Sequence, residues 1–160
     1  MIRSRARLAH YQDGANIEYG DKLNKIERGL GYWFNAKGSV GSIKTGEAVA
    51  PKNDSSTPYT LSLVEGWNQI GNPFPFAIDW SDVLADNPPA SGISSLKIYS
   101  TDKQNFDDGN KIALFGGGFV HADNAVSLNL NVSLKSRADG NRIQRTTPDL
   151  VMIHGSYHSH

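Results

Sequence analysis

The sequence predicts an all-β fold, a β-sandwich or partly closed β-barrel of about eight strands with long loops and little helix. Residues 125–134 alternate between apolar and polar side chains, which is the pattern of a strand with one buried and one solvated face. Residues 59–64 alternate in the same way. Clusters of Gly, Pro, Asn and Asp separate such segments along the chain and indicate turns.

Composition limits the classes of function. The 160 residues include 16 basic and 16 acidic side chains, and this zero net charge argues against a nucleic-acid partner. The lack of cysteine excludes disulfides and thiolate chemistry, and no apolar run reaches the roughly 18 residues of a membrane span. No apolar signal segment follows the basic N-terminus. We therefore expect either an internal protein or, as we prefer, a piece of an exported protein that is extracellular or on the cell surface.

The first third of the chain combines a polar lead-in with the start of a β-rich domain. Residues 1–28 have no sustained period, so we expect partial disorder or a short helix near residues 21–27. The β-rich domain is predicted to span residues 29–142, and a C-terminal tail to span residues 143–160. Its first strand is the aromatic segment at residues 29–36. The next predicted segments are strands at 40–44 and 47–50 and a loop at 51–58.

The segment Tyr59–Trp80 is predicted to organise this domain. Its alternating strand is followed by a glycine break and a second strand at residues 67–70. Prolines alternate with phenylalanines at residues 73–76, which favours an extended path outside a sheet. Asp79 is the predicted N-cap of a short helical segment at residues 80–84. Large aromatic residues on this path are expected to close one end of the core.

The second half is predicted to contain a hairpin and a repeated glycine motif. Strands at 93–100 and 111–115 would flank a loop whose Asp108–Gly109 pair indicates the turn. Residues 29–34 and 116–121 share the order Gly-x-Gly-aromatic-apolar. This repeated order predicts that the chain holds one and a half units of a sequence repeat and is a piece of a longer protein.

The order of these motifs resembles that of β-rich modules in large surface proteins of bacteria with a type IX secretion system. The resemblance covers residues 29–142 and rests on the segments GYWFNA, LVEGWNQIGNPFPFAIDWSDV, GGGFVHAD and AVSLNLNVSLKSR. In that family a Gly-Trp-Asn-x-Ile-Gly-Asn-Pro segment follows a hydrophobic strand. The resemblance implies an exported multidomain protein with an accessory, adhesive or polymer-associated role, and it carries over no catalytic residue.

Aromatic side chains of the central segment are the leading candidates for ligand binding. Aromatic faces bind the apolar face of a sugar ring, and amides near Trp67 would add hydrogen bonds. The predicted glycan-binding residues are Tyr59, Trp67, Asn68, Gln69, Phe74 and Trp80. The alternative is that most aromatic rings form the core. We expect Trp67 and Trp33 to be more buried than Trp80 and Tyr59.

Two groups of side chains offer metal ligands. An acidic hairpin loop provides oxygen ligands for a structural calcium ion: Asp102, Asn105, Asp107 and Asp108. Their spacing differs from that of an EF-hand loop, and a solvated hairpin tip is the alternative. Three histidines of the tail could bind a transition metal if the tail folded back: His154, His158 and His160. A terminus without fixed structure or an expression tag is the alternative there.

The leading functional hypothesis is a non-catalytic extracellular accessory module that binds an insoluble or oligomeric glycan or holds neighbouring domains of a larger protein. A second hypothesis is a small secreted glycoside hydrolase with an Asp/Glu pair. Its candidate carboxylates are Glu47, Glu65, Asp79, Asp82 and Asp123. A third hypothesis is a structural spacer or adhesion domain. Because a cut repeat leaves an unpaired strand edge, a homodimer formed by edge-strand pairing is also predicted.

Overall fold

The described part of the chain is mostly β, as predicted. The computed structural model describes residues 6–38, 49, 51, 58–87 and 92–130. Within these residues the chain forms several antiparallel sheets and one short helix, and no closed barrel is present. In chain order the elements are β1 (Ala6–Gln12), β2 (Ala15–Glu18), β3 (Trp33–Ala36), β4 (Tyr59–Leu63), β5 (Gly66–Gly71), β6 (Ile78–Asp79), α1 (Trp80–Asp86), β7 (Leu96–Ser100), β8 (Asn105–Gly109), β9 (Lys111–Ile112), β10 (Gly117–Ala122) and β11 (Val126–Leu130).

A four-stranded antiparallel sheet in the order β5-β10-β7-β8 forms the centre of the molecule. Because side chains alternate along a strand, one face of this central sheet is buried in the main core. The core residues on this face are Ile70, Leu96, Val120 and Ala122. The opposite face, which we call the outer face, carries Gln69, Lys97, Tyr99, Phe106 and Phe119.

A second layer of strands closes the main core. β4 pairs with β11 and β6 pairs with β9, both antiparallel. The alternation predicted for β4 and β11 is confirmed, because Thr60, Ser62 and Ser127 are exposed while the alternate leucines are buried. The buried leucines are Leu61, Leu63, Leu128 and Leu130. Full burial of each leucine side chain stabilises the fold by about 2 kcal/mol.

Helix α1 begins at the predicted residue. Asp79 occupies the N-cap position, although its side chain makes no capping hydrogen bond. The backbone N–H of Trp80 instead donates to the carbonyl of Asn110 at 2.8 Å. Beyond the end of the helix, Nδ2 of Asn87 donates to the carbonyl of Asn129 at 2.8 Å, and Oδ1 of Asn87 accepts from the N–H of Asn129 at 2.9 Å. The Asn87 side chain therefore ties the helix to β11.

An N-terminal sheet in the order β2-β1-β3 packs on the outer face of the central sheet. The sequence analysis predicted no strand before residue 29, but residues 6–18 form the β1–β2 hairpin, and residues 21–27 form turns and bends instead of a helix. The hairpin turns at Asp13–Gly14, where both residues have left-handed φ angles (51° and 80°). This is the type I′ turn, which suits the twist of paired strands. The described part of the lead-in, residues 6–28, is therefore folded against the central sheet.

The β7–β8 hairpin turns earlier than predicted. Asp108–Gly109 lies inside β8, opposite residues 96–97, and residues 101–104 form the turn. Packing explains the glycine within the strand, because a Cβ atom at position 109 would overlap Cγ1 of Ile98. The predicted pairing of residues 111–115 with the strand at 93–100 is also wrong, because β9 pairs with β6.

The two glycine motifs approach β5 from opposite sides. Leu30 forms an antiparallel bridge with Ile70, and Gly118 pairs with Ile70 from the β10 side. The N–H of Gly31 also donates to the carbonyl of Gln69 at 3.1 Å. The short segment around Leu30 thus extends the edge of the central sheet. A repeat origin for the two motifs stays a prediction.

Several predicted segments lie outside the described residues. These are the strand at 40–44, most of the strand at 47–50 and of the loop at 51–58, residues 131–134, and the tail with its three histidines.

Candidate functional site

Five aromatic side chains meet on the outer face of the central sheet, and we call them the aromatic cluster. Its members are Tyr11, Trp33, Tyr99, Phe106 and Phe119. The ring centroid of Trp33 lies 5.1 Å from that of Tyr99 and 5.8 Å from that of Phe119. Most pairs have edge-to-face geometry, which adds about 1 kcal/mol per pair to the gain from burial. Tyr99 and Phe106 remain 37% and 41% exposed, so the aromatic cluster presents ring surface to solvent.

Strand register brings these rings together. Tyr99 and Phe106 are direct partners across β7 and β8. Phe119 pairs with Lys97, which is two residues from Tyr99 and therefore on the same face. Trp33, at the start of β3, and Tyr11, near the end of β1, contact these rings from the N-terminal sheet.

A groove of about 1090 Å³ borders the aromatic cluster. Trp33, Tyr99 and Phe119 line it, and Phe115 lines it without a ring contact to the aromatic cluster. Gly71 and Gly117 are paired across β5 and β10, so this row of the outer face has no side chains. The backbone of Leu30 and Gly31 lies over Gly71, which is buried, whereas Gly117 is exposed at the groove. The groove therefore opens beside the exposed ring of Tyr99, which is a suitable position for an extended ligand.

Close backbone packing explains the glycines of the groove. A Cβ atom on Gly31 would lie 2.5 Å from the carbonyl oxygen of Ile70, and a Cβ atom on Gly117 would lie 2.7 Å from the same oxygen. Both distances are shorter than any normal contact of a Cβ atom. Strands follow these glycines, so they allow close approach of backbones and form no phosphate-binding loop at a helix N-terminus.

Two of the predicted glycan-binding rings are buried. Trp80 is 2% exposed and Phe74 is 3% exposed. Both belong to the main core, because Trp80 begins α1 on its core-facing side and Phe74 stacks on Phe76 at 5.2 Å. Tyr59 is half-buried, and its hydroxyl donates to the carbonyl of Arg28 at 2.8 Å. Burial raises the pKa of this tyrosine above its usual value.

Trp67 is exposed and lies outside the groove. The expectation that Trp67 is more buried than Trp80 is wrong, because 43% of Trp67 is exposed. Its position in β5 places the side chain on the outer face, where it contacts the ring of His121 at 5.4 Å. Nδ1 of His121 in turn lies 3.5 Å from the carboxylate of Asp123. Trp67 therefore remains accessible to a ligand, but apart from the aromatic cluster.

The predicted amides make hydrogen bonds within the protein. Oδ1 of Asn68 accepts from the N–H of Val64 at 2.9 Å, and Nδ2 of Asn68 donates to the Val64 carbonyl at 2.8 Å. These bonds hold the turn between β4 and β5. Gln69 is buried, and its Oε1 accepts from the N–H of Tyr11 at 2.7 Å. This bond joins the central sheet to the N-terminal sheet, so both amides stabilise the fold.

The predicted calcium ligands do not converge in the described structure. Asp107 and Asp108 are adjacent in β8 and therefore point to opposite faces. Asp107 pairs with Lys103 at 2.8 Å, and Asp108 pairs with Lys97 at 2.7 Å. Among the residues that the structure describes, no group of three or more His, Cys, Asp or Glu side chains could hold a metal ion.

We predict that Asp108 titrates below the ordinary range of aspartate. Hydrogen bonds from Lys97 and Ser95 lower the pKa of this carboxyl from its usual 3.8. The folded state is therefore favoured by this group above about pH 4, and the contribution is lost as the pH falls through the lower pKa of the folded state. NMR titration of the Asp108 side chain should show the lowered value, and Lys97→Met should raise it. An unchanged value in Lys97→Met would show that this pair does not form in solution.

Carboxylates are scarce at the groove. Glu27 is the carboxylate among the described residues that line it, and Glu27 forms an ion pair with Lys25 at 2.8 Å. A glycoside hydrolase requires two facing carboxylates. Of the candidates from the sequence, Asp79 pairs with Lys111 at 3.3 Å and Asp123 lies beside His121. The described part of the groove thus offers stacking surface without a carboxylate pair.

The comparisons with known proteins provide no relative. No protein-family model matches the sequence, and neither curated proteins nor solved structures show a significant similarity to it. In the described part of the chain, no helix has the length and apolar character needed to cross a membrane.

Proposed function

We propose that the chain is a non-catalytic binding module of an extracellular protein, and that its groove binds a neutral polysaccharide. The observation that carries this proposal is the groove of about 1090 Å³ that is lined by the exposed rings of Tyr99 and Phe115. The ring of Tyr99, which lines the groove and is 37% exposed, offers its surface to the apolar face of a sugar unit. The resemblance to modules of secreted surface proteins agrees with this role.

The charge of the groove supports a neutral ligand. Its described lining includes one acidic residue, Glu27, and one basic residue, Arg28. An acidic polysaccharide would need several basic side chains for affinity. Among the residues that the structure describes, this single carboxylate in the lining also favours binding over hydrolysis, because hydrolysis requires two.

A pull-down on insoluble cellulose, chitin and xylan tests the proposal with matched variants. Tyr99→Ala should weaken binding by about tenfold, because it removes exposed ring surface from the groove. Tyr19→Ala is the control, since Tyr19 is 53% exposed and lies outside the groove. Trp67→Ala tests whether binding depends on Trp67, which the sequence analysis predicted to bind glycan but which lies outside the groove. Both controls should bind within about twofold of the unaltered protein.

The same experiment distinguishes the proposed binding module from a glycoside hydrolase and from a structural spacer. Release of reducing sugars that depends on Asp or Glu side chains would contradict a non-catalytic role. Equal binding by Tyr99→Ala and Tyr19→Ala would contradict binding in the groove. Absence of binding to all three polymers would favour a structural spacer, which is supported by the burial of Trp80 and Phe74 and by the internal hydrogen bonds of Asn68.

The predicted homodimer would need an accessible strand edge. β8 is the last described strand of the central sheet. Its Asp107 and Asp108 pair with Lys103 and Lys97, and charged side chains on an edge strand oppose pairing with a second copy. Edge pairing through β8 is therefore disfavoured, and a homodimer stays a prediction.

A further inference from the structure

A tight turn presents Phe115 at the groove. The N–H of Gly116 donates to the carbonyl of Ala113 at 2.8 Å, which closes a four-residue turn. Phe115, the third residue of this turn, has a φ angle of 57°. A positive φ at the third position is typical of a type II turn, where Gly or Asn is the usual residue. For a bulky side chain this backbone conformation is strained.

Neither packing nor backbone preference accounts for phenylalanine at this position. The side chain of Phe115 is 74% exposed, so it adds little to the core. Glycine occupies the next three positions, 116–118, yet the strained position holds an aromatic residue. Strained residues that persist in a fold concentrate at binding and catalytic sites. Phe115 also lines the groove, which connects the strain to the proposed ligand site.

Asn72 holds the turn in place. Its backbone N–H donates to the carbonyl of Gly116 at 2.9 Å, and its Nδ2 donates to the carbonyl of Ala113 at 3.1 Å. One residue thus fixes both ends of the turn. Such surrounding hydrogen bonds are what a strained conformation needs in order to persist.

We propose that Phe115 contacts the ligand, and that its strained turn is retained because it presents the ring to a sugar unit of the bound polysaccharide. The inference rests on the proposed function and adds a second aromatic surface to the groove, apart from the aromatic cluster. It also gives the Gly-Asn-Pro motif a role, because Asn72 of this motif is the positioning residue for Phe115.

Calorimetric titration with the soluble neutral oligosaccharides cellohexaose, xylohexaose and chitohexaose tests the inference, together with urea unfolding. Phe115→Gly should weaken binding by about tenfold, because it removes the ring. The urea midpoint of Phe115→Gly should equal or exceed that of the unaltered protein, because glycine adopts a positive φ without strain. Phe115→Tyr keeps the ring and should bind within about twofold.

Leu114→Ala is the matched control, since Leu114 belongs to the same turn and is 45% exposed but does not line the groove. It should bind like the unaltered protein. Full affinity of Phe115→Gly combined with weak binding by Tyr99→Ala would overturn the role of Phe115 and leave the proposed function standing. Full affinity of both variants, or binding of an apolar peptide with no affinity for the oligosaccharides, would overturn the proposed function as well. A lowered urea midpoint in Phe115→Gly would show that the ring stabilises the fold, against the inference.

Discussion

Asn72→Ala should lower the free energy of unfolding by about 3 kcal/mol, because this side chain forms the hydrogen-bonded centre of one end of the fold. Its Nδ2 lies 2.6 Å from the carbonyl oxygen of Phe76, 3.1 Å from that of Ala113 and 3.2 Å from that of Ile112, so its two hydrogens are shared among three acceptors. Its Oδ1 accepts from the N–H of Phe74 at 2.9 Å. Alanine would remove these bonds, three of which are partly buried; the carbonyl of Ala113 would keep its bond from the N–H of Gly116. Urea unfolding followed by tryptophan fluorescence measures the loss.

Two further variants test whether the loss of stability in Asn72→Ala comes from the hydrogen bonds of this amide. Asn16→Ala removes an exposed amide from β2 and should change the free energy of unfolding by less than about 0.5 kcal/mol. Asn72→Asp keeps the shape but directs a carboxylate at three carbonyl oxygens, so it should be destabilised at pH 7 at least as much as Asn72→Ala. A loss below about 1 kcal/mol in Asn72→Ala would show that water replaces the amide without cost.

Gly31→Ala should destabilise the protein by about 3 kcal/mol and loosen the N-terminal sheet. The added Cβ atom would lie 2.5 Å from the Ile70 carbonyl oxygen and 2.9 Å from Cγ of Gln69. Neither neighbour can yield easily, because both belong to the paired strand β5. The backbone amide of Tyr11, which donates to Gln69, should therefore exchange its hydrogen faster. Urea unfolding and hydrogen exchange of this amide provide the two measurements.

Gly38→Ala is the control for the backbone cost of replacing a glycine where the added Cβ atom meets no other atom. Gly38 has a φ of 86° and no atom within 4 Å of an added Cβ, so alanine there should cost about 1 kcal/mol through the backbone alone. Equal losses at Gly31 and Gly38, with unchanged exchange at Tyr11, would contradict the close contact between Gly31 and β5.

The Asp-Gly dipeptides show how far sequence patterns reach in this fold. The turn at Asp13–Gly14 carries the strongest short hairpin signal, yet β1 and β2 were not predicted, because their polar residues lack a clear alternation. Asp108–Gly109 carries the same signal but lies within a strand, where Ile98 excludes a side chain. The dipeptide alone cannot distinguish these cases, because tertiary packing decides which glycine lies in a turn. Strands with one apolar face, such as β4 and β11, were predictable because burial follows the alternation.

The groove was less predictable than the strands. Trp33 stood among the aromatic residues of the sequence analysis, but Tyr11, Tyr99, Phe106 and Phe119 were not chosen as candidates. Their assembly depends on the register of three strands and on a second sheet, which no local pattern specifies. One signal was present: Tyr99 and Phe106 lie symmetrically about the residues 101–104, and a correct turn assignment would have paired them.

The side-chain amide of Asn87 protects one residue of the β11 edge from pairing with another protein chain. It offers Asn129 one donor and one acceptor, which is what a further strand would offer at that residue. A foreign chain that approached β11 there would find both backbone groups occupied. We therefore expect Asn87 to oppose the pairing of a second chain with β11 at Asn129, which is the role that charged residues and prolines often have on exposed edges.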